Sequence, residues 1–237
     1  MAIQITQPSL CKFLAYIQRT RPDYAGCRIL ECGAGGEVPP LAMFHEQGFE
    51  IYGIDIDDDQ IERAQKYARE HGLDLHMIKA DMRETPFEDD FFDFVYEFQA
   101  MCHLTKPGIR QTIAEMHRIM KTAGLCFLTV MTRNNWPLDG KEIARGEFQS
   151  HYEGKDHIHS YFDDDETDGL FDRFTILRKE RRSILYANEW AEMSEPEWMA
   201  WYCDDWTGFT REEWLGWYPH RKEKRRLEFI EYIVKKG

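Results

Sequence analysis

The sequence of 237 residues is 43% hydrophobic and 31% charged, with a formal net charge of −13. The length suits one sizeable domain or one domain with an insertion, and the apolar fraction excludes a disordered chain. A mean hydropathy of −0.61 and the lack of any apolar run near the ~20 residues that span a bilayer argue against a membrane protein; the acidic balance repels phosphate backbones and argues against nucleic acid as a partner.

The chain opens with an amphipathic helix that places Leu10, Phe13, Leu14 and Ile17 on one face and stops before Pro22. Lys12 interrupts this stretch and no small-residue cleavage site follows, so it is not expected to be a signal peptide. Residues 28–30 read as a buried strand, followed by a glycine-rich turn and a helix over 39–47 capped by Gly48. A second strand covers 51–55. Asp58 or Asp59 then caps a helix whose apolar face is Ile61, Ala64 and Ala68 and which ends at Gly72. Strands follow at 75–80 and 92–98, then a helix with Ile109, Ile113, Met116 and Met120 on one face, then a strand at 125–132. Alternation of this kind predicts right-handed βαβ units and an α/β fold with a doubly wound, mostly parallel sheet.

The second half is less regular. Residues 133–160 read as a loop, Asp163-x-x-Glu166 as a capped helix start, 174–179 as a strand and 228–234 as the last strand. Between the last two strands, residues 183–226 carry six of the seven tryptophans: Trp190, Trp198, Trp201, Trp206, Trp214 and Trp217. Two capping boxes there, Ser194-x-x-Glu197 and Thr210-x-x-Glu213, predict a pair of short helices. Such an insert can be a satellite core, a homodimer contact or a lid over a substrate. The basic run 221–226 reads as a solvated turn, and the charges at 178–182 as protection of an edge strand. The six cysteines are scattered without a C-x-x-C spacing, which fits reduced thiols in a cytoplasmic protein. His151, His157 and His159, followed by acids at 163–165, match no zinc spacing, and no metal is expected.

The chemistry is concentrated in the turn Glu31-Cys32-Gly33-Ala34-Gly35-Gly36-Glu37, which follows a strand and opens a helix. Glycines allow a sharp turn and close approach of a ligand, and Asp55, about twenty residues on, ends the next strand where a carboxylate can accept both ribose hydroxyls. A dinucleotide is disfavoured: Val38 stands where the third glycine of its fingerprint would be, and Glu31 and Glu37 would repel a diphosphate. Carboxylates suit instead an ammonium or sulfonium group on a nucleoside.

With these features in order, the chain resembles a class I S-adenosylmethionine-dependent methyltransferase over roughly residues 29–132, with a fainter likeness to the end. The E-x-G-x-G run at Glu31, Gly33 and Gly35, Asp55 in Gly53-Ile54-Asp55-Ile56, Asp81-Met82, the strand 92–98 and the following His103-Leu104 are similar to the family's successive motifs. The resemblance implies a Rossmann-like seven-stranded sheet with the last strand antiparallel. It implies an S-adenosylmethionine site formed by Glu31, Gly33, Ala34, Gly35, Asp55, Ile56, Asp81, Met82, Glu97 and Phe98, with S-adenosylhomocysteine as product. Glu97 and His103 are the candidate catalytic residues. The implied organisation is one domain over 1–237: an N-terminal helix (1–27), a donor-binding core (28–132), a substrate-side segment (133–182), the helical insert or lid (183–226) and a final strand (227–237). The implied partner is a small-molecule methyl acceptor. A protein or RNA acceptor, and a non-catalytic S-adenosylmethionine-binding protein, are the alternatives.

Overall fold

In the computed structural model, residues 7–136, 138, 140–152, 155–186, 192–200, 210–216, 218–222 and 225–237 are described. Among these residues ten strands are present: β1 (Arg28–Cys32), β2 (Glu50–Asp55), β3 (Met77–Lys79), β4 (Phe92–Glu97), β5 (Met120–Met131), β6 (Lys141–Ala144), β7 (Glu147–Tyr152), β8 (Lys155–Ser160), β9 (Phe174–Tyr186) and β10 (Arg225–Lys236). The α-helices are α1 (Pro8–Thr20), α2 (Leu41–Glu46), α3 (Asp58–His71), α4 (Lys106–Ile119) and two short ones, α5 (Glu195–Ala200) and α6 (Arg211–Gly216).

Seven strands form one sheet in the order β3-β2-β1-β4-β5-β10-β9. The first five pair in parallel, and β10 runs antiparallel to both β5 and β9. The chain builds outward from β1 to β3 and then returns to β4 on the other side of β1. This reversal splits the loops that leave β1 and β4 and opens a crevice between them at the carboxyl edge, where ligands bind in open α/β sheets.

Alternating side chains supply two cores, one on each face. Leu30, Val95, Cys126, Leu128 and Val130 lie in the cluster completed by Ile109, Ile113 and Met116 of α4. Ile29, Phe94, Tyr96, Leu125 and Phe127 lie in the cluster completed by Leu10, Phe13, Leu14 and Ile17 of α1. Those four α1 residues are the predicted apolar face, and all four are buried. Polar contacts also fasten α1: Ser9 Oγ donates to Glu231 Oε1 at 2.5 Å, and Lys12 pairs with Glu231 and, at 2.6 Å, with Glu180. Among the described residues no helix is long and apolar enough to cross a membrane.

Several expectations need correction. Asp57, not Asp58 or Asp59, caps α3, accepting from the amides of Asp59 and Gln60; it is the last residue with extended backbone, so only its side chain can fold back onto those donors. Residues 133–160 are not a loop: β6, β7 and β8 form a second, antiparallel sheet. No α-helix starts at Asp163. Glu166 does reach back to the Asp163 amide at 2.9 Å, but the chain then tightens into a 3-10 turn, Asp168–Leu170, that buries Leu170 and Phe171. The last two strands are longer than predicted, because each gains a full partner in the other.

Phe13 is fully buried, with its ring 6.0 Å from Tyr96 and 5.7 Å from Phe127. Phe13→Ala should cost about 3–5 kcal/mol of unfolding free energy in a urea titration. A loss below about 1 kcal/mol would mean that α1 does not seal this face.

Candidate functional site

β1 delivers Glu31 and the glycine turn to the crevice. Gly33 adopts φ +75°, and a Cβ there would lie 2.3 Å from the Cβ of Ala100, so both the turn and the approach of the loop after β4 require glycine. The amides of Gly33 and Ala34 both donate to the Ile54 carbonyl at 2.9 Å. Gly35 donates to Asp55 Oδ2 at 3.0 Å, and Gly36 to the Gln60 carbonyl at 3.0 Å. Four consecutive amides are therefore spent on the end of β2 and the start of α3. A diphosphate would find these four amides already engaged, which gives the exclusion of a dinucleotide a geometric basis. Gly35 has its own reason to lack a side chain, since a Cβ there would meet Asp55 Oδ2 at 2.6 Å.

Three carboxylates border the crevice. Glu31 is buried and accepts from the Leu41 amide at 2.9 Å, where α2 begins. Burial pushes its carboxyl well above the usual range; the Leu41 hydrogen bond opposes this, and the nearby Asp55 charge adds to it. Asp55 is half-buried at the end of β2 and also accepts from the Asp57 amide at 3.0 Å. Asp81 accepts from the Arg83 guanidinium at 2.5 and 3.0 Å, and this pairing holds its carboxyl below the ordinary value. Met82 packs half-buried against the sheet. Beside these acids, Ile56 and Val38 are 61% and 49% exposed, apolar surface at the same rim.

At the exit of β4, Glu97 is fully buried. Its carboxylate accepts from the amides of Ala100 (2.6 Å), Met101 (2.9 Å) and Thr129 (3.0 Å) and from the Thr129 hydroxyl (3.3 Å). Burial raises its carboxyl, against the pull of these donors. The same clamp sets Gln99 at φ +56°, with its amide donating to Thr129 Oγ1 at 2.8 Å. Phe98 is half-buried, edge-on to Phe229 at 5.7 Å. His103 ends a 3-10 turn, Met101–His103, and is exposed.

Sequence reasoning missed what faces His103. The β7–β8 register pairs Phe148 with His159 and Ser150 with His157, so these residues share one face of the hairpin. That face lies over the β4 exit: the His159 ring is 4.5 Å from His103, and Ser160 Oγ donates to the Leu104 carbonyl at 2.7 Å. The signal available was the alternation within 147–152 and 155–160. His151 falls on the opposite face, against Asp156 at 2.8 Å, so the three histidines do not converge.

In the tryptophan-rich segment, Trp198 of α5 and Trp214 of α6 stack at 4.6 Å and 15°. Each indole N–H donates to the other residue's carbonyl, at 3.0 and 3.1 Å. The first predicted capping box is present, with Glu197 accepting from the Ser194 amide at 2.7 Å. This pair forms a small core of its own. Trp190, Trp201, Trp206 and Trp217 lie outside the described residues.

Comparison with known proteins agrees with this geometry. Residues 29–124 match the family model of a methyltransferase domain. The chain is 33% identical over 117 residues to a sterol 24-C-methyltransferase of Schizosaccharomyces pombe, covering 48% of this chain and 29% of that protein. It is 34% identical over 96 residues to the sterol 24-C-methyltransferase of Pneumocystis carinii, covering 40% and 24%. The chain thus spans under a third of the length of these curated relatives. Among solved structures, an S-adenosylmethionine-dependent methyltransferase of Methanosarcina mazei superposes with a TM-score of 0.63 at 19% identity, over 91% of this chain and 95% of that one. The Burkholderia thailandensis 1,6-didemethyltoxoflavin-N1-methyltransferase, solved with its substrate and S-adenosylhomocysteine, superposes with a TM-score of 0.59 at 14% identity, over 98% and 80%. These two establish the fold.

The raised carboxyl of Glu31 has a signed consequence. Its proton is held more tightly in the folded state, so its burial costs stability as pH climbs above the unfolded value near 4.5 and through the folded one. Glu31→Gln keeps an oxygen for the Leu41 amide and removes the charge. Urea melts from about pH 5 to about pH 8 should show the variant gaining on the parent as pH rises. A difference that does not change with pH would show that the charge on Glu31 carries no such cost.

Proposed function

We propose that this chain, which carries a class I S-adenosylmethionine-dependent methyltransferase domain, binds S-adenosylmethionine in the crevice between β1 and β4 and methylates a small-molecule acceptor. One observation carries the reading: the amides of residues 33–36 are already bonded within the protein, while among the described residues Glu31 and Asp55 stand beside them without a basic partner, and Ile56 gives them an apolar neighbour. Such a rim suits a cationic nucleoside. When bound, S-adenosylmethionine supplies an electrophilic methyl that an acceptor lone pair takes in line, leaving S-adenosylhomocysteine.

The residues divide by what they touch. Asp55 accepts from the ribose hydroxyls, and Ile56 lies against the adenine. Asp81 and the Met82 amide serve the adenine edge, with Arg83 keeping Asp81 ionised. Glu31 stands near the amino-acid end, where the donor's ammonium would favour its ionised form, and, through the Leu41 amide, aligns α2. Glu97 acts as a positioning residue: its acceptor sites are filled by protein donors, so it shapes the wall formed by Phe98 and the loop to Met101. His103 is exposed and is assigned the acceptor's proton. Alignment and exclusion of water supply most of the rate enhancement, because the donor is already activated.

A small acceptor is supported by the names of the similar proteins, which act on sterols and on a toxoflavin precursor. The net charge of −13 opposes an RNA acceptor. The five described cysteines are free thiols, which supports a reducing, cytoplasmic setting.

S-adenosylhomocysteine should raise the melting temperature while NAD does not, and Asp55→Ala should weaken S-adenosylhomocysteine about 10- to 100-fold in a calorimetric titration. Equal stabilisation by NAD would overturn the ligand assignment, and undiminished affinity in Asp55→Ala would remove the ribose from β2. Formation of S-adenosylhomocysteine with an acceptor distinguishes an enzyme from a binding protein.

A further inference from the structure

The β7–β8 hairpin touches both rims of the crevice. Its root is fixed beside the β4 exit: Glu147 Oε1 accepts from the Lys106 amide at 2.6 Å, and the Tyr161 amide donates to the Gly146 carbonyl at 2.7 Å. Gly146 has φ +75°, and a Cβ there would lie 2.2 Å from the Tyr161 carbonyl oxygen, so the root tolerates little rearrangement. Toward the other end, Lys155 Nζ lies 3.3 Å from Asp57 Oδ2, directly beyond β2. β1 lies between β4 and β2 in the sheet, so a hairpin anchored at both exits has its two anchors on either side of the strand that leads into the glycine turn.

The two oxygens of Asp57 do different work. Oδ1 caps α3, accepting from Asp59 at 2.9 Å and Gln60 at 3.3 Å, while Oδ2 meets Lys155. The Asp57 amide donates to Asp55 Oδ1. The hairpin is thus joined through one residue to the acid assigned to the ribose. Lys155 is 61% exposed, so its side chain is not needed to fill a core.

We propose that Lys155 is a positioning residue for the nucleoside donor: its ion pair with Asp57 straps the hairpin across the glycine turn and slows release of the bound nucleoside. The proposal rests on the donor site described under Proposed function. It gives the hairpin two tasks, with His159 facing the β4 exit and Lys155 holding the donor side shut.

The test is the dissociation rate of S-adenosylhomocysteine, measured by displacement in stopped flow. An exposed ion pair supports an effect of about two- to fivefold, so Lys155→Ala should release the nucleoside faster by that factor at low salt, with an unchanged melting temperature for the free protein. Lys155→Arg should restore the parent rate. Asp57→Asn keeps Oδ1 as the cap and loses the acceptor for Lys155, so it should match Lys155→Ala, and the double variant should be no faster than either. About 0.5 M salt should bring the parent close to Lys155→Ala. Parent-like release from both single variants at low salt would overturn the strap while leaving the donor site standing. Failure of the parent protein to bind S-adenosylhomocysteine would overturn both.

Discussion

The site depends on how the glycine turn is closed. Gly33, Ala34, Gly35 and Gly36 direct their amides to Ile54, Asp55 and Gln60, binding the turn to the end of β2 and the start of α3. That closure fixes the Asp55 carboxylate, brings Ala100 against Gly33 and leaves Glu31 beneath the first turn of α2. The same hydrogen bonds that build the turn determine what it rejects. An anion needs donors, and here four successive amides are consumed, so the turn presents chiefly its acids.

Those acids fall into two electrostatic groups. Glu228 accepts from Thr132, Asn134 and Arg181, and Glu231 meets Ser9, Lys12 and Arg182; both have cationic partners. Burial would raise the Glu228 carboxyl, yet its hydrogen bonds and Arg181 hold it low. Among the described residues Glu31 and Glu97 meet only amide and hydroxyl donors, and burial prevails in raising both. Buried carboxylates at the β9–β10 side therefore act as structural anchors. Those at the carboxyl ends of β1 and β4 remain electrostatically uncompensated, a condition that a cationic ligand relieves.

The core of this arrangement was legible in the sequence because it obeys simple periods. Leu10, Phe13, Leu14 and Ile17 repeat at helical spacing and are buried, and the strand at Asp55 ends where its turn residues indicated, while β1 runs two residues beyond the expected 30, to Cys32. The second half was less legible for identifiable reasons. β7 and β8 alternate, but with Ser150, His157 and His159 on the inward face rather than aliphatic residues, so the hydrophobic signal is weak. Asp163-x-x-Glu166 does make the cap contact that its spacing suggests, yet burial of Leu170 and Phe171 draws the chain away from a helix. Glu97 carried no mark separating a clamp from a base; its role follows only from Thr129, distant in sequence and adjacent in the sheet.

The fastening of α1 also bears on how the chain acquires its structure during synthesis. Ser9 and Lys12 leave the ribosome well before their partner Glu231, which lies 222 and 219 positions later. The helix can collapse onto Phe94, Tyr96 and Phe127 as soon as β4 and β5 exist, while its polar anchors wait for the last strand. Until β10 inserts between β5 and β9, β5 presents an unpaired edge, the kind of surface that pairs with other nascent chains. Completion of the sheet is thus a late, long-range event, and it is the step at which a chaperone would have most to protect.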